Sequence, residues 1–237
     1  MTLIPSKQDN LALESSNEGF EVVLVVASYY IAPKSLEPLI EKFIVLAGLK
    51  SFIVERQYFN LNAEKFNTSD NSDWISINTP YFDFSAYQKF KFNKSKKNRL
   101  YLFINDTLFV KHPFRYIAFY LYKNLRLFTS INVPSSLGIV YPYDEFISNA
   151  QTGPIIYHIT TYCFILNYEA ANHFKKDLLS LPLDEDQKSQ IELIENCKIK
   201  NSGLKYMIDI LFGEAKTRLS YKKRNLSLFF KKLFLIV

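Results

Sequence analysis

The residues best suited to chemistry are Asn105, Asp106 and Thr107, which directly follow the apolar run Leu100–Ile104. Such a run, preceded by the charged Arg99, is typical of a strand buried on both faces of a parallel sheet. In open α/β sheets, ligands bind outside the carboxyl ends of the strands. A carboxamide and a carboxylate at this position are therefore expected to face a ligand site.

Alternating strands and helices are predicted around this strand. The β-branched run Glu21–Ala27 predicts a first strand, and apolar residues at helical spacing after Pro33 predict a helix. Residues 51–54, closed by Glu55, predict a short second strand. The other predicted elements are strands over 74–78, 133–140 and 157–166 and helices opening at 81 and over 114–128, 168–180, 186–196 and 203–212. This pattern predicts an α/β fold with a mostly parallel central sheet flanked by helices.

Length and composition predict one folded domain with two flanking segments. A chain of 237 residues can bury a full core but is too short for two large domains. Residues 1–19 are predicted to be a flexible lead-in, 20–214 the domain, and 215–237 a basic amphipathic segment. In this last segment lysines and arginines occur without acidic residues, and Leu226, Phe229, Phe230, Leu233 and Val237 share one helical face. Two interpretations stay open for it, a membrane-surface anchor and a helix docked on the domain.

Charge, cysteine spacing and the lack of long apolar runs indicate the class of partner and the cellular location. The net charge of +6 favours anionic partners, without choosing among nucleotide diphosphates, acidic lipid and nucleic acid. The positive charge is scattered among loops and tail, which disfavours a nucleic-acid-binding module. Cys163 and Cys197 have neither zinc-site nor disulfide-framework spacing. With no signal-peptide pattern and no apolar run of about 20 residues, we expect a cytoplasmic protein, located in part at the inner face of the membrane.

Several motifs, taken in chain order, carry a resemblance to a known family. An apolar strand ending in Asn105-Asp106-Thr107 resembles the nucleotide-sugar-binding strand of bacterial glycosyltransferases with the GT-A fold, especially those of rhamnan and O-antigen synthesis. Asn78 followed by Asp83-Phe-Ser-Ala-Tyr87 matches the segment that precedes that strand in the family. His158, Thr161 and Tyr162 match a family segment near the acceptor pocket. The resemblance covers about residues 20–214.

The resemblance implies roles for individual residues. It implies that a divalent metal, Mn²⁺ or Mg²⁺, and the donor diphosphate are held at Asp106 with Asn105. It implies that the nucleobase packs against the loop at Ser28 and Tyr29. Glu55 would take the place of an Asp that contacts uridine or ribose, and Asn78 and Asp83 would also belong to the donor site. His158 stays open between a satisfied core histidine and a group near the transferred sugar.

The function implied is transfer of a sugar from a nucleotide-diphosphate donor to a surface polysaccharide or lipid-linked glycan. Such a reaction needs a cationic centre for the leaving diphosphate and a base for the acceptor hydroxyl. The candidates for the base are Asp144, Glu145 and His158. The alternative is a non-catalytic relative that serves as a binding or scaffolding subunit of a polysaccharide assembly complex.

Overall fold

A computed structural model describes residues 19–66, 73–77, 83–142, 157–179, 206–210 and 214–217. The strands are β1 Glu21–Ser28, β2 Ile53–Asn60, β3 Trp74–Ser76, β4 Arg99–Asn105, β5 Ser135–Pro142, β6 Tyr157–Asn167, β7 Tyr206–Asp209 and β8 Glu214–Thr217. The helices are α1 Pro33–Leu46, α2 Asp83–Lys89, α3 Thr107–Lys111, α4 Phe114–Thr129 and α5 Tyr168–Leu179, with a 3₁₀ turn over Leu49–Ser51. These elements confirm the α/β class.

The described strands form one mixed sheet in the order β3-β2-β1-β4-β6-β5-β7-β8. The first four strands are parallel to one another. Strand β6 is antiparallel to both β4 and β5, whereas β7 is parallel to β5 and antiparallel to β8. The chain extends the sheet from β1 to β3 on one side and returns to place β4 on the other side of β1. The crevice between β1 and β4 is therefore a topological switch point, where ligands of α/β sheets bind.

At β1 and β4 the sheet is buried on both faces, which explains the unbroken apolar runs of these two strands. One face packs on α1 and α4, and its core includes Val22, Leu24, Val26, Leu102 and Ile104. The other face packs on α2 and α5 through the alternate residues, which include Val23, Val25, Tyr101 and Phe103. Every residue of β4 is buried. The prediction of a central strand buried on both faces is confirmed.

Two predicted elements are wrong in the structure. Strand β2 does not end before Glu55 but continues to Asn60, because Arg56–Asn60 pair with residues 24–28 of β1 and the last three of them also pair with β3. The helix predicted over 203–212 is replaced at 206–209 by β7, which is held between β5 and β8. Strand β8 continues the sheet past residue 214, and residues 218–237 lie outside the described part of the chain. The predicted helix over 186–196 also lies outside it.

Candidate functional site: a cleft at the switch point

A cleft of about 210 Å³ lies at the carboxyl ends of β1 and β4. Its lining comes from separate parts of the chain and comprises Ala27, Tyr29, Tyr30, Leu61, Asp83, Asn105, Asp106 and Thr107. The parallel register places Ala27 beside Asn105, so the loops that follow both strands leave the sheet at the same edge. Four of the predicted site residues, Tyr29, Asp83, Asn105 and Asp106, thus line one cleft.

Asp106 is the buried centre of this cleft, with only 1% of its surface exposed. Its Oδ2 accepts hydrogen bonds from the backbone N–H groups of Tyr29, Tyr30 and Ile31 at 2.9, 2.5 and 2.7 Å. Its own N–H donates to the carbonyl of Ala27 at 3.0 Å. The carboxylate therefore fastens the loop between β1 and α1 to the end of β4.

The loop held by Asp106 is shaped by further side chains. Ser28, which is fully buried, donates through Oγ to the carbonyl of Ile31 and so closes the turn from within. Asn62 Nδ2 donates to the carbonyl of Tyr29 at 3.2 Å. Ser28 thus supports the loop from below and is absent from the cleft lining, which differs from the direct nucleobase contact that the resemblance implies.

Asp83 and Asn105 form a second polar pair in the cleft. Asn105 Nδ2 donates to Asp83 Oδ2 at 2.7 Å, while Asn105 Oδ1 accepts from the backbone N–H of Thr107 at 3.2 Å. The first bond connects the start of α2 to the end of β4, and the second connects β4 to the start of α3. The amide of Asn105 is thereby held in one orientation.

Both carboxylic acids have raised pKa values. Burial raises the pKa of Asp83, and the negative charge of Asp106 raises it further, against the hydrogen bonds from Asn105 and Thr161. Burial also raises the pKa of Asp106, and its three backbone N–H donors oppose that shift. The protein groups around them thus compensate only part of the cost of burying the two negative charges.

An aromatic and cationic rim borders the cleft. The rings of Tyr29 and Tyr30 meet edge to face with centroids 5.1 Å apart, and Tyr30 remains 48% exposed. Lys111 Nζ lies 5.3 Å from the centre of the Tyr30 ring. Exposed aromatic faces can stack on planar rings, and an ammonium group can attract phosphate. The rim therefore offers contacts for both halves of a nucleotide.

His112 connects this rim to the second half of the sheet. Its ring stacks on Tyr162 of β6 with centroids 3.8 Å apart and planes inclined by 14°. Burial and the neighbouring Lys111 lower the pKa of His112, which favours the neutral form of the ring. The stack brings Tyr162 of β6 against the residue that follows α3.

Glu55 lies away from the cleft. Its carboxylate forms an ion pair with Arg99 Nη2 at 2.8 Å, and Arg99, at the amino end of β4, also pairs with Glu21 at 2.6 Å. The implied contact of Glu55 with uridine or ribose required β2 to end there, whereas β2 runs five residues further to Asn60. In the described structure, Asn60 and Leu61 occupy the end of β2 at the cleft side.

The remaining predicted residues are Asn78, Asp144, Glu145 and His158. Asn78, Asp144 and Glu145 lie outside the described residues. The backbone of His158 lies in β6 opposite Tyr141, five positions before Cys163, which pairs with Ile104 near the end of β4. At about 3.3 Å per residue, this places the His158 backbone about 16 Å along β6 beyond that pair, on the side of the sheet edge that holds the cleft.

Metal binding would depend on the two cleft carboxylates. Within the described residues, no group of three or more His, Cys, Asp or Glu side chains is arranged to hold a metal ion. Oδ2 of Asp106 and Oδ2 of Asp83 already accept hydrogen bonds. Asp83 and Asp106 are the carboxylates of the described cleft that would ligate Mn²⁺ or Mg²⁺, since both metals take oxygen ligands.

Sequence reasoning missed several residues of this site. Leu61 and Asn62 follow the true end of β2, and Lys111 borders Tyr30 from the far end of α3. The two asparagines Asn60 and Asn62, directly after the aromatic pair Tyr58-Phe59, were the sequence feature that could have revealed the later strand end. Comparisons of the chain with protein-family models, with curated proteins and with solved structures find no match.

Proposed function

We propose that the cleft binds a nucleotide-diphosphate sugar and that the protein transfers this sugar to a surface polysaccharide or lipid-linked glycan, as a glycosyltransferase with a GT-A-like fold. The observation that carries the proposal is the convergence of Tyr29, Asp83, Asn105 and Asp106 at the switch point between β1 and β4. These residues lie up to 77 positions apart in the chain. The motif order that underlies the resemblance to rhamnan- and O-antigen-synthesis enzymes supports the same proposal.

The chain's residues suggest a division of tasks in this proposal. The exposed face of Tyr30 receives the nucleobase by stacking, and the Lys111 ammonium attracts the diphosphate. Asp106 holds the loop that presents Tyr29 and Tyr30, so its role is positioning as well as charge. Asp83, kept in place by Asn105, supplies a carboxylate at the cleft wall.

A divalent metal, where bound, would neutralise charge on the leaving diphosphate. The candidates for the base that deprotonates the acceptor hydroxyl remain Asp144, Glu145 and His158, and the last of these belongs to β6 on the cleft side of the sheet. A base must lie within hydrogen-bond reach of the acceptor. The acceptor is therefore proposed to enter from the β5–β6 side.

A second candidate function is a non-catalytic subunit that binds a nucleotide or glycan within a polysaccharide assembly complex. One observation favours it. Three backbone N–H groups donate to Oδ2 of Asp106, which uses one of its two carboxylate oxygens for loop structure and not for a ligand. A site whose central carboxylate is committed to loop structure can bind a ligand without catalysing transfer.

The proposal includes a location in the cell. It places the protein in the cytoplasm, at the inner face of the membrane where lipid-linked acceptors are assembled. The basic segment 215–237 is proposed as one membrane contact. This segment lies outside the described residues, apart from the part of β8 that it contains.

Titration calorimetry against UDP, GDP, dTDP and CDP, each with and without Mn²⁺ or Mg²⁺, tests the proposal. We expect one nucleotide to bind best, and Tyr30→Ala and Lys111→Met to weaken that binding. A matched control is Lys65→Met, an exposed lysine that also lies over an aromatic ring, that of Phe66 at 5.1 Å. Failure of the folded wild type to bind any of the four would contradict the proposal.

A turnover assay separates the two candidate functions. Slow hydrolysis of the matching nucleotide sugar, or its transfer to a glycan acceptor, would support the transferase. Tight nucleotide binding with no turnover under any metal condition would favour the binding subunit.

A further inference from the structure

Helix α4 exposes one continuous face to solvent. Its inward residues, which include Ile117, Ala118, Leu121, Leu125 and Phe128, are buried against the sheet. On the opposite arc, Arg115, Tyr116, Phe119, Tyr122 and Lys123 are exposed. These five residues, called here the outward face of α4, fall within about 120° of arc at 100° per residue.

The outward face is unusually aromatic for a surface. Tyr116, Phe119 and Tyr122 are 60%, 47% and 49% exposed. A single exposed apolar residue needs no explanation, but a contiguous group of large rings indicates an interaction surface. Val110, 52% exposed, lies in α3 immediately before this helix and adds to the exposed apolar residues of this part of the chain.

The charge of this part of the chain has one sign. Residues 107–143 contain Lys111, Arg115, Lys123 and Arg126 but no aspartate or glutamate. Lys123 Nζ lies 4.5 Å from the centre of the Phe119 ring, so a positive charge and an aromatic ring are presented together. The outward face is therefore both apolar and cationic.

We propose that the outward face of α4 lies on an anionic lipid surface, with its rings in the headgroup boundary and its basic side chains on lipid phosphates. Aromatic rings with a polar edge favour this boundary, and long basic side chains reach from it to the headgroups. A second copy of the chain is a poor occupant, since pairing the same face with itself would bring like charges together. Within the described residues, no helix is long and apolar enough to cross a membrane.

This contact is independent of the proposed nucleotide site but lies close to it in the chain. Helix α3 begins directly after Asp106, and Lys111 at its end contacts Tyr30 at the cleft rim. Only two residues separate α3 from α4. A membrane under α4 would thus hold the cleft close to the lipid surface, where a lipid-linked substrate is confined.

Co-sedimentation of the full chain with vesicles of phosphatidylcholine, with and without phosphatidylglycerol, tests the charge requirement. We expect binding only with phosphatidylglycerol. A basic side chain near an anionic surface contributes about five-fold to binding, so Arg115→Gln combined with Lys123→Gln should weaken it about 25-fold. The matched control, Lys89→Gln with Lys94→Gln, removes two exposed lysines at α2 and beside α5, on the other face of the sheet. It should leave binding within about two-fold, because the attraction falls off within a Debye length.

Fluorescence quenching by brominated lipid locates the contact. The wild-type chain has one tryptophan, Trp74, which is 5% exposed and should not be quenched. Phe119→Trp should be quenched on binding, whereas Ile75→Trp, at a 49% exposed position in β3, should not. Circular dichroism of each variant confirms folding.

Three results would overturn the proposal. Absence of vesicle binding would indicate that the outward face serves a protein partner instead. Vesicle binding without quenching of the Phe119→Trp variant would assign the contact to another part of the chain, such as residues 218–237. Equal effects of the two double-glutamine variants would show that the attraction depends on the net charge of the protein and not on the outward face of α4. Each outcome is independent of nucleotide binding, which the calorimetry measures separately.

Discussion

Replacing Asp106 with alanine tests the most specific feature of the cleft, the carboxylate that holds three backbone N–H groups. The substitution leaves Tyr29, Tyr30 and Ile31 without their acceptor at the end of β1. An orphaned buried donor costs about 1–3 kcal/mol, so three donors give about 3–9 kcal/mol. Tyr30 is exposed and its neighbours are half-buried, so water can accept some of the hydrogen bonds that Asp106 accepted. Burying the Asp106 charge costs free energy in the wild type, as its raised pKa indicates, and alanine removes this cost. The net loss of stability is smaller for this reason too.

We therefore expect Asp106→Ala to lower the free energy of unfolding by about 3 kcal/mol, near the low end of that range. The assay is urea unfolding followed by circular dichroism, with the midpoint and slope fitted for each variant. Asp106→Asn keeps one acceptor oxygen and should lose about half as much. Asp73→Ala, the same change at an exposed aspartate, should stay within about 0.5 kcal/mol of wild type.

Hydrogen exchange gives a local measure of the same contact. The amide hydrogens of Tyr29, Tyr30 and Ile31 should exchange much faster in Asp106→Ala than in wild type, while those in the middle of β1 follow the global stability. The reasoning is refuted if Asp106→Ala unfolds at the same urea concentration as Asp73→Ala and these amides keep their protection. The carboxylate would then be free for a ligand, as the sequence alone implied.

Three further predictions concern Asp83, Cys163 and Gly48. The raised pKa of Asp83 means that wild type loses stability as the pH rises from about 4 through the folded-state pKa. Asp83→Asn lacks this loss, so urea midpoints should shift increasingly in its favour from pH 4 to pH 8, and a pH-independent difference would contradict the assignment. Burial raises the pKa of the Cys163 thiol to about 12, so in a Cys197→Ser chain a thiol reagent at pH 8 should react about 1000-fold more slowly before unfolding than after it, and equal rates would show that Cys163 is accessible. At Gly48, with φ +67°, an added Cβ would lie 2.3 Å from Tyr122 Cδ2, so Gly48→Ala should cost about 2 kcal/mol in urea unfolding. Adding Tyr122→Ala should recover part of that loss, and strictly additive effects would exclude the clash.

Local sequence pattern predicted the centre of the sheet because its strands are buried on both faces. In β1 and β4 every position needs an apolar side chain, apart from the ends, so the runs are visible without knowledge of their partners. Strand β2 was cut short at Glu55 because its middle is polar. The structure places Glu55 in an ion pair with Arg99, and Gln57 in hydrogen bonds with the backbone of Lys91. Those partners are distant in sequence, so the pattern could not show them.

The second half of the sheet was harder to predict for a related reason. Residues 206–209 have a spacing that also suits an amphipathic helix, yet they form β7. Pairing with β5 on one side and β8 on the other supplies hydrogen bonds that outweigh a weak local preference. Short strands of this kind depend on neighbours more than on their own residues.

By itself, the sequence determined which polar residues follow the buried strands, and therefore that Asn105 and Asp106 stand at the carboxyl edge of the sheet. Only the tertiary structure decided what these groups do there. It brings Asp83 to Asn105 and turns Oδ2 of Asp106 toward backbone N–H groups 75 to 77 residues away, so that a carboxylate expected to hold a ligand also holds a loop. Residue type and strand order are local properties of the chain, whereas the partner of a buried charge depends on which distant backbone donors the fold places beside it.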